Sequence, residues 1–147
     1  QSLAVLEYLE EAHPEPPLLP VDAFDRARVR AIALAVACEI HPLNNLSVMQ
    51  FLEDDLGVSE EQKRAWYHHW VARGFRAVEQ MLGDARTGLC CHGDLPTMAD
   101  VCLVPQVYNA RRFACDLEPY PTIRRIEAAC LEHPAFREAV PERQPDA

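Results

Sequence analysis

The sequence predicts an all-α domain of about six or seven helices. Three observations carry that reading. No stretch of useful length alternates apolar and polar residues as a half-buried strand would. Helix-start pairs recur at Asp22 and Asp25, Ser59 and Gln62, and Thr97 and Asp100, each ahead of apolar residues spaced for one helical face. Residues 101–110 have no wide polar face, which is the composition of a helix covered on all sides. At 147 residues, 49% of them apolar, the chain is long enough for one domain around one core.

In chain order, residues 1–11 carry apolar side chains at 3, 5, 6 and 9, and Ser2 is placed to cap this helix from its first turn. A helix that begins so abruptly is expected to be the remainder of something longer. Residues 13–20 hold four prolines (Pro14, Pro16, Pro17 and Pro20), which cannot continue a helix and favour a stiff, extended connection. A second helix is expected over residues 23–40, with Ala31, Ala35 and Cys38 as a small-residue face open to close helix approach. Pro42 predicts a kink or break at His41. The polar residues His41, Asn44 and Asn45 then stand between apolar segments, either lining a cleft or satisfying a helix break with their own side chains.

The next helix, over residues 46–56, can end at Gly57. The Ser59/Gln62 box opens a long one over residues 60–82, with Trp66, Trp70, Phe75, Val78 and Leu82 as its buried stripe and Gly74 at a close crossing. Adjacent His68 and His69 read as surface residues, and Gly83 closes the helix. The Thr97/Asp100 capping box starts the central helix, where Leu95 or Pro96 is placed to pack back on Val101 and Pro105 to kink the helix. Its end carries Arg111 and Arg112: one cation suits the helix dipole, and the other, half-buried, suits a bidentate grip on a carboxylate. Tyr120-Pro121-Thr122 opens a further helix bearing Ile123, Ile126 and Cys130, a short one follows over residues 134–140, and the tail at Gln144-Pro145-Asp146 reads as irregular.

A formal charge of −9 excludes the clustered positive surface that nucleic acid binding needs. No uninterrupted apolar run has the length of a membrane helix, so neither nucleic acid nor membrane is expected as a partner. Six cysteines without disulfide spacing fit a reducing compartment, the cytoplasm. Cys90-Cys91-His92 lacks a second ligand pair at zinc spacing, so no metal is expected.

Several stretches resemble the zeta class of glutathione transferases, which includes maleylacetoacetate and maleylpyruvate isomerases. In family order they are Gln1-Ser2-Leu3-Ala4, Glu7-Tyr8-Leu9-Glu10-Glu11, Ile40-His41-Pro42-Leu43-Asn44-Asn45-Leu46, Gly93-Asp94 through Asp100, Leu103-Val104-Pro105-Gln106-Val107, Ala110-Arg111-Arg112-Phe113 and Gln144-Pro145-Asp146. The resemblance implies the last helix of a thioredoxin-like domain at residues 1–12, a Pro-rich linker at 13–21, and a glutathione transferase C-terminal helical domain at 22–147. The family's Ser-Cys segment, whose Ser holds the glutathione thiolate, is not among these residues.

The resemblance also implies glutathione as cofactor, a homodimer, and cis–trans isomerisation of a maleyl keto acid to its fumaryl isomer. By the same likeness, Gln1 and Ser2 bind the γ-glutamyl carboxylate, His41 and Asn45 border the glutathione or substrate cleft, and Arg112 grips a substrate carboxylate. Alternatives are a zeta-class transferase acting on small α-halo acids, by the same thiolate chemistry, and a non-catalytic all-α module that dimerises or binds a partner.

Overall fold

Helix α6, Met98–Arg112, is the centre of the fold. A computed structural model of the chain describes residues 1–145; Asp146, expected in an irregular tail, lies outside the described residues. Ahead of α6 come α1 (Ser2–Ala12), α2 (Ala23–Glu39), α3 (His41–Asn44), α4 (Leu46–Gln50), which runs on into a π-helical turn at Phe51–Asp55, and α5 (Glu60–Leu82). After it come α7 (Pro121–Glu132), α8 (Pro134–Glu138) and a 3-10 turn at Pro141–Arg143. Among the described residues there is no strand, only an isolated bridge between Thr87 and Gly93. The all-α expectation holds.

Helix α6 packs against α2 and α7, and α5 packs against the same two, so the core lies among four helices. Met98, Ala99, Leu103, Val104, Val107 and Ala110 of α6 are all buried, as its composition predicts. Pro105 does not interrupt the helix. Residues Ala23–Asp55 are long and apolar enough to cross a membrane by length and composition alone, but here Val29, Ile32, Ala33, Val36 and Ile40 from that run are core side chains.

The capping signals act where they stand. Asp22 accepts from the backbone N–H groups of Phe24 and Asp25 at 2.9 and 3.1 Å, and Ser59 and Gln62 form a reciprocal box at 3.2 and 2.8 Å. At α6, Asp100 accepts from the Thr97 N–H and the Thr97 hydroxyl, both at 2.8 Å. Leu95, however, is 77% exposed and forms no staple. The linker meets the start of α6 in another way: the Met98 N–H donates to the Leu18 carbonyl at 2.9 Å, and Leu19 is core.

Four other details differ from the sequence expectation. Ser2 does not cap α1; the cap position is Gln1, with no side-chain bond. Ala31 and Cys38 face outward, because the apolar face that α6 covers is Val29, Ile32, Ala33 and Val36. The break expected at His41 is present, with α2 ending at Glu39 and α3 beginning at His41; a second, unexpected one follows at Asn45, and Pro42 itself sits in the first turn of α3, where no N–H is required. The buried stripe of α5 runs through Tyr67 and Val71, with Trp66 and Trp70 half-buried beside it. Trp66 donates its indole N–H to the Leu43 carbonyl at 2.7 Å, and His68 reaches the Phe113 carbonyl at 2.8 Å, so His68 closes the end of α6 rather than standing free.

Gly74 does mark a close crossing. A Cβ there would lie 2.2 Å from Ile40 Cγ1 and 2.5 Å from Ile40 Cδ1. Gly74→Ala gains roughly 1 kcal/mol of helix propensity and loses about 1–3 kcal/mol to overpacking against a fully buried, β-branched side chain. Urea unfolding of Gly74→Ala is expected to give a net destabilisation of up to about 2 kcal/mol; stabilisation by the full propensity gain would show that Ile40 is free to move.

Candidate functional site

A cleft of about 470 Å³ opens between α1, the end of α2 and α6, and its walls include Ser2, His41, Cys102, Pro105, Gln106 and Asn109. Each element delivers its residue for a local reason. Ser2 is the first residue of α1, where no side chain caps the helix, so the first backbone N–H groups remain available to an anion. His41 is exposed at the start of α3 because Pro42 must occupy a first turn. Cys102, Pro105, Asn109 and Arg112 follow one another at spacings of three, four and three, which places them along one stripe of α6.

The structure therefore brings Ser2 and His41 together and sets Arg112 one turn beyond the cleft, on the stripe that forms its wall. Gln1 is adjacent, exposed at the cap position of α1. Asn45 is different. Its Oδ1 accepts from the Val48 N–H at 3.1 Å and the Ser47 hydroxyl at 2.7 Å, while its Nδ2 donates to the Pro42 carbonyl at 3.1 Å. The amide is consumed by the break between α3 and α4.

Of the two arginines ending α6, Arg111 grips a carboxylate inside the protein, donating through Nε and Nη2 to buried Glu127 at 2.9 and 2.5 Å. Arg112 is exposed and forms no ion pair among the described residues. Its charge reaches Tyr108 and Tyr67. Burial pushes the Tyr67 hydroxyl up to about 12, with Cys115 adding to the shift and the Arg112 cation opposing it. Tyr67 also stacks on Phe113, centroids 4.1 Å apart, beside a second hollow of about 330 Å³ bordered by Lys63 and Arg64. The Lys63 ammonium there is already shared by Glu53 and Glu60.

One polar group of interest, Gln106, escaped the sequence reading, whereas Asn44 did not. Gln106 is 3% exposed, and its Nε2 has no partner among the described residues; the same holds for buried Asn44 Nδ2. The available signal was an amide residue next to a proline inside an apolar helix, a place where a polar side chain is costly unless something bonds to it. Cys102 does not offer a nucleophile, since burial pushes its thiol up to about 11. Apart from the cleft, Cys90, Asp100 and Cys130 meet beneath the start of α6.

A helical bundle centred on a capped helix, with an uncapped helix start and a cleft at its side, is the C-terminal domain of a glutathione transferase. No family model matches the chain, but known proteins match along its full length. A probable maleylacetoacetate isomerase of Vibrio cholerae is 48% identical over all 147 residues, which span 68% of that relative. A holo structure of maleyl pyruvate isomerase, described as a bacterial glutathione S-transferase in the zeta class, superposes with a TM-score of 0.98 at 50% identity, covering all of this chain and 70% of that one. A maleylacetoacetate isomerase from Anaeromyxobacter dehalogenans with glutathione bound in its active site superposes with a TM-score of 0.94 at 50% identity, covering all of this chain and 66% of that one. The chain belongs to the maleylacetoacetate and maleylpyruvate isomerase family of zeta-class glutathione transferases.

One wall of the cleft is held by charge. Glu7 on α1 accepts from Arg30 Nε and Nη2 at 2.7 and 3.0 Å, and Glu10 accepts from the Leu18 N–H at 2.7 Å, whereas no α1 residue is fully buried. The hydrogen bonds from Arg30 hold the Glu7 carboxyl below its ordinary value. A lowered folded value means that the pair's contribution is present above the unfolded glutamate value, roughly 4.3, and is lost as pH falls through the folded one. Hydrogen-exchange protection of α1 is expected to fall as pH drops below about 5, and Glu7→Gln to flatten that fall. Identical profiles for the two proteins would remove the pair as the anchor.

Proposed function

We propose that residues 1–12 are the last helix of a thioredoxin-like domain, 13–21 the linker and 22–147 the helical domain of a glutathione-dependent isomerase converting maleylacetoacetate or maleylpyruvate to its fumaryl isomer. The observation that carries this reading is the cleft in which Ser2 and His41 face a stripe of α6 that ends in Arg112, which forms no ion pair among the described residues.

The reaction adds the glutathione thiolate to the activated double bond, which becomes single, rotates, and re-forms as the thiolate is eliminated. Negative charge develops on the keto group as an enolate while the substrate already carries two carboxylates. The protein's part is electrostatic. Gln1 and Ser2 present the free N–H groups of the α1 start to the γ-glutamyl carboxylate. Arg112, exposed and without an ion pair among the described residues, supplies a cation to a substrate carboxylate, and His41 borders the glutathione or substrate cleft. Asn45 acts one step back, since its amide fixes the junction that carries His41. With a chain charge of −9, attraction of a dianion has to be local to the cleft.

Pairing of two copies belongs to the same reading; Leu46, Phe51 and Leu56, exposed around α4, are apolar surface that a second copy would cover. A cytoplasmic location fits six cysteines that are all free. Neither nucleic acid nor a membrane is needed as a partner.

Arg112→Ala, assayed in a protein carrying this chain behind its thioredoxin-like domain, is expected to lower kcat/KM for maleylpyruvate or maleylacetoacetate at least tenfold, about 1.4 kcal/mol. Arg111→Ala is expected to act on stability instead, through the loss of Glu127's partner. Unchanged turnover in Arg112→Ala would take Arg112 out of the site.

A further inference from the structure

Cys90 and Cys91 lie in the loop after α5, Asp100 in the first turn of α6 and Cys130 in the last turn of α7. Their exposures are 4%, 0%, 0% and 1%. Cys90 Sγ, an Asp100 carboxylate oxygen and Cys130 Sγ all lie within 4.8 Å of one another. Cys130 Sγ is 3.8 Å from Asp100 Oδ1, and the Cys91 thiol turns to the same carboxylate. We propose that this cluster is a binding site for one thiophilic closed-shell dication, Zn²⁺ being the natural candidate, with Cys90, Asp100 and Cys130 as its protein ligands.

The donor set is that of zinc, thiolates with one carboxylate. In a tetrahedron with bonds of about 2.0–2.3 Å the ligand atoms lie roughly 3.3–3.8 Å apart, so side-chain rotations of an ångström or so close the site. The lone pairs of Asp100 are unevenly used. Oδ2 takes the Thr97 N–H and hydroxyl, whereas Oδ1 takes the Cys91 N–H at 2.8 Å and otherwise only the long contact from a thiol. An ion at Oδ1 replaces that weak S–H donor and leaves the capping bonds in place.

Binding would release the thiol protons of Cys90 and Cys130 to solvent and leave two thiolates and a carboxylate around a dication. The net negative charge is met by two neighbouring cations: Arg125, whose guanidinium donates to the Gly88 carbonyl at 2.8 Å, and Arg28, which donates to the Cys91 carbonyl at 2.7 Å. The cluster shares no residue with the cleft, so the inference is independent of the isomerase reading. The competing view is that these cysteines are small apolar core residues. It predicts a folded chain indifferent to thiophilic ions.

The test is titration of the reduced, metal-free chain with Cd²⁺, following thiolate-to-cadmium ultraviolet absorption, equilibrium dialysis and the cadmium NMR shift. One Cd²⁺ per chain with mixed sulfur and oxygen coordination is expected, together with a Tm that rises with free Cd²⁺. Replacing both Cys90→Ser and Cys130→Val should weaken binding at least about a hundredfold, whereas replacing Cys38→Ser and Cys115→Ser, outside the cluster, should retain it. No stoichiometric binding by the unmodified chain, an all-oxygen cadmium shift, or binding that survives loss of Cys90 and Cys130 would overturn the proposal; the first two outcomes do not depend on any variant folding.

Discussion

A carboxylate with no exposure to water, that of Asp100, ties together the parts of this fold that are distant in sequence. An ionised group in that position is costly unless its lone pairs are filled, and here they are, by the N–H groups of Cys91 and Thr97, by the Thr97 hydroxyl and by the Cys130 thiol. Through those bonds the loop of residues 83–97 is fastened to the start of α6 and touches α7. Arg28 fastens the same loop from its other side, donating to the Cys91 carbonyl, the Thr87 hydroxyl and the Met81 carbonyl at 2.7, 2.7 and 3.3 Å. The loop is thus fastened by two charged side chains, buried Asp100 and part-buried Arg28, as well as by Cys90 and Cys91 in the core.

From that tie, α6 runs 15 residues, about 22 Å at a regular rise, to the arginines. Its far end is fixed as firmly. Cys115 N–H donates to the Ala110 carbonyl, Ala114 adopts a positive φ of 52°, His68 meets the Phe113 carbonyl, and Arg111 is taken by Glu127. With both ends held, the stripe of Cys102, Pro105, Asn109 and Arg112 is presented at one place beside α1 and α3. Only α1, retained by surface charge, is lightly attached, and it forms the wall that the family's other domain would complete.

Local signals made much of this legible. The three capping pairs and the crossing at Gly74 are properties of a few neighbouring residues and stand as read; the central helix, expected to be covered on all sides, is core on one side and lines the cleft with Cys102, Pro105 and Asn109 on the other. What the sequence did not disclose depends on contacts between distant segments. The third bond of Asp100 goes to Cys91, nine residues away; Tyr67 rather than Trp66 lies at the centre of α5, with Phe113 stacked on it; Leu95 stands exposed, while the Leu18 carbonyl takes the first N–H of α6. The convergence of Cys90 with Cys130 is of the same kind, since a spacing rule sees only one segment at a time. In the site, the position of Ser2 and His41 at element ends was readable, and both stand in the wall of one cleft. A buried amide such as Gln106 was hidden by its helical, apolar surroundings. The domain division and the roles at the cleft came from resemblance rather than from periodicity.

The claim that Asp100 fastens loop, cap and central helix into one unit is tested most directly by native-state hydrogen exchange at the Cys91 and Thr97 amides. Both donate to that carboxylate, and neither belongs to a helix interior. If the account holds, both exchange only through global unfolding, with the same free energy as urea denaturation of the whole chain. Exchange through a local opening well below that value would show that the loop comes away while the helices stay folded, and the tie would not be what sets the position of α6.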